Sequence, residues 1–130
     1  MNAHYRITTD DARCLLRIEL GGFFEADDLA ALAAEKALAI GRMRCGRNRH
    51  VTLCDVSACK IQTGDIAEMF AGMIADPAFQ SRRLAIVTGS SLARLQVRRM
   101  LERADAACFS DVASAEAWLF ASTAAMRAAG

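Results

Sequence analysis

Cys54 and Cys59 fall close together near the middle of the chain, and they are the first candidates for covalent chemistry. A cysteine attacks as the thiolate, so it needs a base, a cation or a helix N-terminus to lower its pKa. Lys60 adjoins Cys59, and the chain then runs into a helix start at Thr63, so a cation and a helix N-terminus are both to hand. Against that, the 130 residues hold two histidines, His4 and His50, and neither stands at a catalytic spacing from a cysteine. The balance makes Cys54 a small core residue and Cys59 an inert loop thiol, and leaves a thiol-dependent enzyme as the third of three functional readings. A metal centre has less support still: the histidines are far apart, no Cys/His pair has ligand spacing, and His50 is expected at the surface where a strand starts. The paired carboxylates Asp10-Asp11 and Asp27-Asp28 are explained by a turn and by a first helical turn.

Oxygen-bearing side chains make a second group. Thr88-Gly89-Ser90-Ser91 joins a strand to a helix, where amides and hydroxyls can hold an anion. The stretch lacks the lysine and glycine spacing of a P-loop, and capping by serine accounts for it more simply. Asp55 and Ser57 end a neighbouring strand, and Thr63 and Gly64 open the next helix. Together Asp55, Ser57, Thr63, Gly64, Thr88, Gly89, Ser90 and Ser91 form the expected rim for a partner or an anion. Met69, Phe70 and Met73 are the candidate lining of an adaptable ligand cavity, with plain core packing as the alternative.

These groups need elements to position them. His50 to Ser57 has apolar residues on both alternating sets, Val51 and Leu53 on one side, Cys54 and Val56 on the other, which suits a central strand buried on both faces. Ligands and partners meet such sheets at the carboxyl ends of the strands. Before it, His4–Thr9 and Cys14–Leu20 read as an antiparallel hairpin closed by Gly21-Gly22, with Leu16, Ile18 and Leu20 on one face. A helix from Ala26 to Ile40 carries the stripe Leu29, Ala33, Ala37 and Ile40, with Leu32 at its edge and Gly41 as its stop. A basic loop, Met43 to Arg49, follows. After the central strand, a helix capped by Thr63 repeats Ile66, Met69, Phe70, Met73 and Ile74, ahead of Pro77. Leu84–Val87 is an apolar strand. Ser90 or Ser91 caps a third helix with the stripe Ala93, Val97, Met100, Leu101 and Ala104; Arg94 and Arg98 flank one side of it, Arg99 and Arg103 the other, and Leu95 faces away. Ala106–Phe109 is a last short strand, and Asp111 or Ser114 caps a helix bearing Ala115, Trp118, Leu119, Ser122 and Met126. The order ββαβαβαβα requires a mixed, mostly parallel sheet of five strands with packed helices, an α/β fold in a single domain over residues 1–130.

Composition limits the function. With 54% hydrophobic and 24% charged residues the chain is an ordinary globular one, and a net charge of +1 argues against general nucleic-acid binding. Arginine outnumbers lysine fourteen to two. No apolar run is long enough for a transmembrane helix or a signal peptide. The five cysteines, Cys14, Cys45, Cys54, Cys59 and Cys108, are odd in number and show no C-x-x-C spacing, and Cys14, Cys54 and Cys108 read as buried strand residues. Five reduced thiols in the cytoplasm are expected.

The element order, with Gly21-Gly22 before the first helix, Leu53-Cys54-Asp55-Val56-Ser57 ending the central strand, Arg82-Arg83-Leu84-Ala85-Ile86-Val87 and the closing Phe109…Ala115…Trp118-Leu119, resembles the STAS-like superfamily. Within it the chain looks like the SpoIIAA-like bacterial proteins. The resemblance implies the fold of anti-sigma factor antagonists, binding to partner proteins, and in some members phosphorylation of a serine in Asp-Ser-x-Gly at the helix start after the central strand. Here Gln62-Thr63-Gly64 stands near that place, so Thr63 is the nearest substitute. The leading expectation is a non-catalytic regulatory or protein-interaction module. The alternative is a carrier or sensor of a small hydrophobic or anionic, lipid-like ligand. No cofactor is implied, and a homodimer is left open.

Overall fold

The chain forms β1 (His4–Asp10), β2 (Leu15–Gly22), α1 (Ala26–Arg42), β3 (Val51–Cys59), α2 (Gly64–Ala75), β4 (Arg83–Val87), α3 (Ser91–Met100), β5 (Ala106–Phe109) and α4 (Val112–Leu119). The computed structural model describes residues 2–45, 49–60, 62–76, 81–100 and 105–121, with backbone alone at 74, 75, 93, 96, 99 and 100. Of the expected positions, Gly46, Arg47, Pro77, Leu101, Arg103, Ala104, Ser122 and Met126 lie outside the described residues. The side chains of Ile74, Ala93, Arg99 and Met100 do so as well.

All five strands join one sheet in the order β1-β2-β3-β4-β5. The first pair is antiparallel and the other three pairs are parallel, so the mixed, mostly parallel α/β sheet expected from the element order is present. Strands laid down consecutively in one direction, with crossovers of one hand, must place their connecting helices on one face. On that face Leu16, Ile18 and Leu20 of β2 pack with Phe24, Leu29 and Leu32 and with Ile66 of α2, while Leu84 and Ile86 of β4 meet Val97 of α3. The opposite face is covered by α4, where Ala115 and Leu119 pack on Leu15, Val51, Leu53, Ala85 and Val87. Thus β3 does divide its apolar residues between two cores. Val51 and Leu53 go to the α4 side, and Cys54 and Val56 to the other.

Local chemistry sets several boundaries differently from expectation. β2 does not stop at Leu20 but runs through Gly21 to Gly22. Gly22 has φ +81°, and a Cβ there would overlap the Asn2 carbonyl, so glycine is required where Asn2 bridges to Phe23. α1 runs through Gly41 to Arg42 and stops at Met43, so Gly41 is no stop signal. Its buried residues are Leu29, Leu32 and Ala39, which puts Leu32 at the centre of the stripe and Ala33 and Ala37 at its sides. β3 continues beyond Ser57 to Cys59. Two caps are as expected: Thr63 Oγ1 accepts the Ile66 N–H at 3.4 Å, and Asp111 Oδ1 accepts the Ser114 N–H at 2.7 Å.

The expectation of five reduced thiols is corrected, because Cys14 and Cys45 are joined by a disulfide. Cys14 is not a strand residue either. It closes the β1–β2 turn, half-buried, with φ +50°. The pairing could not be read from spacing, since it depends on α1 returning the chain to the start of β2.

Candidate functional site

β2 and β3 run in register up to Glu19 beside Asp55, and then Gly21 pairs with Ala58. One residue of β2, Leu20, therefore opposes two of β3, Val56 and Ser57, which is a β-bulge. Asp55 stabilises it locally: its Oδ1 accepts the Ser57 N–H at 3.0 Å and the Ser57 hydroxyl at 2.6 Å. Val56 stays inward with Cys54, as alternation places it, and Ser57 and Ala58 are exposed beside Asp55. Alternation alone puts Asp55 and Ser57 on one face; the bulge brings Ala58 into the same depression.

That depression is half-open, about 290 Å³ in volume, and lined by His4, Arg6, Glu19, Leu20, Asp55 and Ser57 among others. It occupies the part of the sheet that α4 leaves bare. On this face Arg6 pairs across with Glu19, and Glu19 lies beside Asp55. Arg17 Nε is 3.3 Å from Glu19 Oε1, near enough for an ion pair though out of line for a hydrogen bond. The imidazole of His4 covers Gly21, where any Cβ would overlap the ring. His4, Arg6 and Glu19 were not singled out from sequence. The available signal was the hairpin, whose register places His4 opposite Gly21 and Arg6 opposite Glu19.

The remaining rim residues separate into four sets. Gly89 lies against Ser57, since a Cβ on it would stand 2.9 Å from the Ser57 carbonyl oxygen, so the β4–α3 loop does meet the end of β3. Thr88 is buried, its N–H donates to Phe109 O at 2.9 Å, and its hydroxyl finds no partner among the described residues. It therefore belongs to the interior rather than the rim. Ser90 and Ser91 are exposed at the start of α3, where the Ser90 carbonyl accepts the Arg94 N–H. Thr63 and Gly64 are also exposed, but their position is set elsewhere. Gln62 Oε1 accepts the Phe24 N–H at 2.8 Å and its Nε2 donates to Gly22 O at 3.1 Å, pinning the β3–α2 loop to the β2–α1 connection.

The proposed cavity lining divides in the same way. Phe70 packs edge-on to Phe24 with centroids 5.6 Å apart, Met73 packs on the same core, and Met69 faces outward, 42% exposed.

Burial decides the thiols. Cys54 is pushed up to about 12, with Lys36 only partly opposing the effect, and Cys59 to about 11, where the nearby Asp55 adds to burial. Cys108 is raised by burial against the opposing charges of Arg98 and Arg94. All three hold their protons at neutral pH, so neither Lys60 nor the α2 N-terminus activates Cys59. His50 is not at the surface: it is 3% exposed under α1, and its Nε2 has no partner among the described residues. Among the described residues no three His, Cys, Asp or Glu side chains are grouped to hold a metal ion. No helix among them is long and apolar enough to cross a membrane.

A five-stranded sheet in sequential order, with α1 to α3 on one face and α4 on the other, defines a SpoIIAA-like α/β fold. The same fold is found in an uncharacterised protein of the DUF3478 family from Shewanella loihica PV-4, whose crystal structure superposes with a TM-score of 0.66. The alignment covers 90% of this chain and 93% of that one at 16% identity, which establishes likeness of fold. No protein-family model and no curated protein sequence matches the chain.

Proposed function

We propose that this protein is a non-catalytic regulatory module that docks another protein on the bare part of its sheet, over Asp55, Ser57, Glu19 and Arg6. The observation that carries this reading is the depression itself. It is open, and it presents charges of both signs on a rigid sheet face rather than an enclosed apolar chamber. Mixed exposed charge suits a polar protein surface, where complementarity sets partner choice. The SpoIIAA-like fold is compatible with a protein that catalyses nothing. The raised thiols give no support to a cysteine nucleophile. The carrier reading loses its expected lining, since Phe70 and Met73 pack in the core and Met69 points away. The reading places the protein in the cytoplasm.

The test is charge reversal with in-cell cross-linking. Tagged wild type, Asp55→Lys, Glu19→Lys and a control on the outer face of α3, Leu95→Ser, are compared by mass spectrometry of the cross-linked species. A partner cross-linked by wild type and by Leu95→Ser should fall at least tenfold in both reversals. Equal recovery in all four would overturn the docking surface. A small molecule co-purifying in native mass spectra, lost on reversal, would favour the carrier instead.

A further inference from the structure

Five cysteines divide into two chemical classes. Cys54, Cys59 and Cys108 sit on strands, at least partly buried, and keep their protons. Cys14 and Cys45 sit in loops, half-buried, with Cα atoms 5.9 Å apart, and are joined. We infer that Cys14 and Cys45 form an exchangeable dithiol–disulfide couple, a redox latch that fastens the end of α1 and the start of β3 to the β1–β2 turn.

Three features of the surroundings carry the inference. The bond joins two connections rather than two core elements, and both of its cysteines are only half-buried. Cys14 holds a left-handed backbone, φ +50°, that favours glycine. Its neighbours impose that conformation: its N–H donates to Asp11 O at 3.3 Å, and its carbonyl accepts the Val51 N–H at 2.8 Å. Thirdly, the Arg44 N–H donates to Asp11 Oδ1 at 3.2 Å, so a polar contact independent of the bond aligns the same two loops. The sequence separation of 31 means that the bond closes a ring containing β2 and α1. Opening it frees the chain where α1 hands over to the buried His50 and Val51.

The step balances as thiol–disulfide exchange with a glutathione-type thiol. A thiolate from the small thiol attacks one sulfur of the pair, the other leaves as a thiolate, and a mixed disulfide forms. A second small-thiol thiolate attacks that mixed disulfide and releases the second cysteine thiolate. Two small thiols become one small disulfide, and the chain gains two protonated thiols; the reverse reaction consumes the oxidised small thiol. The other three cysteines stay out of the exchange because attack requires a thiolate, and burial on their strands keeps them protonated.

The latch lies at the amino ends of the parallel strands, away from the Asp55–Ser57 depression, and does not depend on the docking reading. The test equilibrates the native protein in glutathione buffers of graded ratio and traps the accessible free thiols in the folded protein at neutral pH with a fast excess of maleimide. Cys14 and Cys45 should gain label together as a single couple, while Cys54, Cys59 and Cys108 remain unlabelled. Reduction should lower Tm by about 10 °C, the loss expected for opening a ring of this size. Hydrogen exchange should accelerate in residues 11–14, 43–45 and 49–50 and not around Asp55. Cys14→Ser and Cys45→Ser should reproduce the reduced wild type, and Cys108→Ser should leave the couple unchanged. Reduction only after unfolding would overturn the latch, as would failure of the two thiols to pair in oxidised glutathione. Exchange without any change in those loops would overturn it too. Because wild type alone supplies these readouts, a misfolded serine variant does not decide the outcome.

Discussion

Arg83 shows what one buried side chain can settle. It is 6% exposed at the start of β4, on the face covered by α4. Its Nη1 donates to the carbonyls of Trp118, Leu119 and Ala121, at 3.1, 3.1 and 2.6 Å, and its guanidinium lies 6.0 Å from the Trp118 ring centroid. A helix leaves its last carbonyls unpaired and carries negative potential there, so a buried cation at that end answers both needs. Arg83→Met should cost roughly 2–4 kcal/mol in urea denaturation, because it strands buried carbonyls. Arg83→Lys should recover only part, since an ammonium lacks the planar fork. His50 makes the opposite case, a buried base kept neutral. Its pKa is lowered from the ordinary 6.5 by burial and then by Lys36. A histidine lowered in the folded state costs nothing above pH 6.5, where both states are neutral. As pH falls below 6.5 the unfolded chain takes up the proton first, so stability declines until the folded pKa is passed. Denaturation midpoints at pH 7.5 and 5.5 should show this loss in wild type and a smaller one in His50→Gln. Neither role was visible in the sequence, where Arg83 bounded an apolar run and His50 preceded one.

At the scale of elements, caps were legible and ends less so. Thr63 caps α2 through a long 3.4 Å bond, so Thr63→Ala should lose about 0.5–1 kcal/mol, the low end for such a residue. Thr63→Asp should keep near wild-type stability, because a carboxylate accepts the same N–H and suits the positive end of the helix. Chemical denaturation of both variants checks the pair; a larger loss in Thr63→Asp would mean that the loop rejects charge. The Asp55–Ser57 bulge was illegible for a definite reason. Alternation assigns faces only while the register is unbroken, and whether an aspartate folds back onto its own strand depends on the neighbour's hydrogen-bond ladder.

At the scale of the molecule, Leu53 tests the arrangement. It is fully buried between β2 and β4, under α4. Leu53→Ala should cost roughly 2–5 kcal/mol by equilibrium denaturation, and a loss below about half a kcal/mol would contradict a central β3. The placement of β3 followed from its own residues, because apolar side chains on both alternating sets permit nothing but burial on both faces. The element order, the parallel sheet and the cap at Thr63 were likewise determined by sequence, since each rests on periodicity or on a side chain bonding within its own turn; for α4 the sequence offered Asp111 or Ser114, and the structure uses Asp111. Tertiary structure alone decided the rest. The Cys14–Cys45 pairing, the burial of His50 and Thr88, the capping of α4 by Arg83, and the meeting of His4, Arg6 and Glu19 with Asp55 all depend on residues brought together by the assembled sheet. Their distances are set by strand order and register, which no local pattern carries.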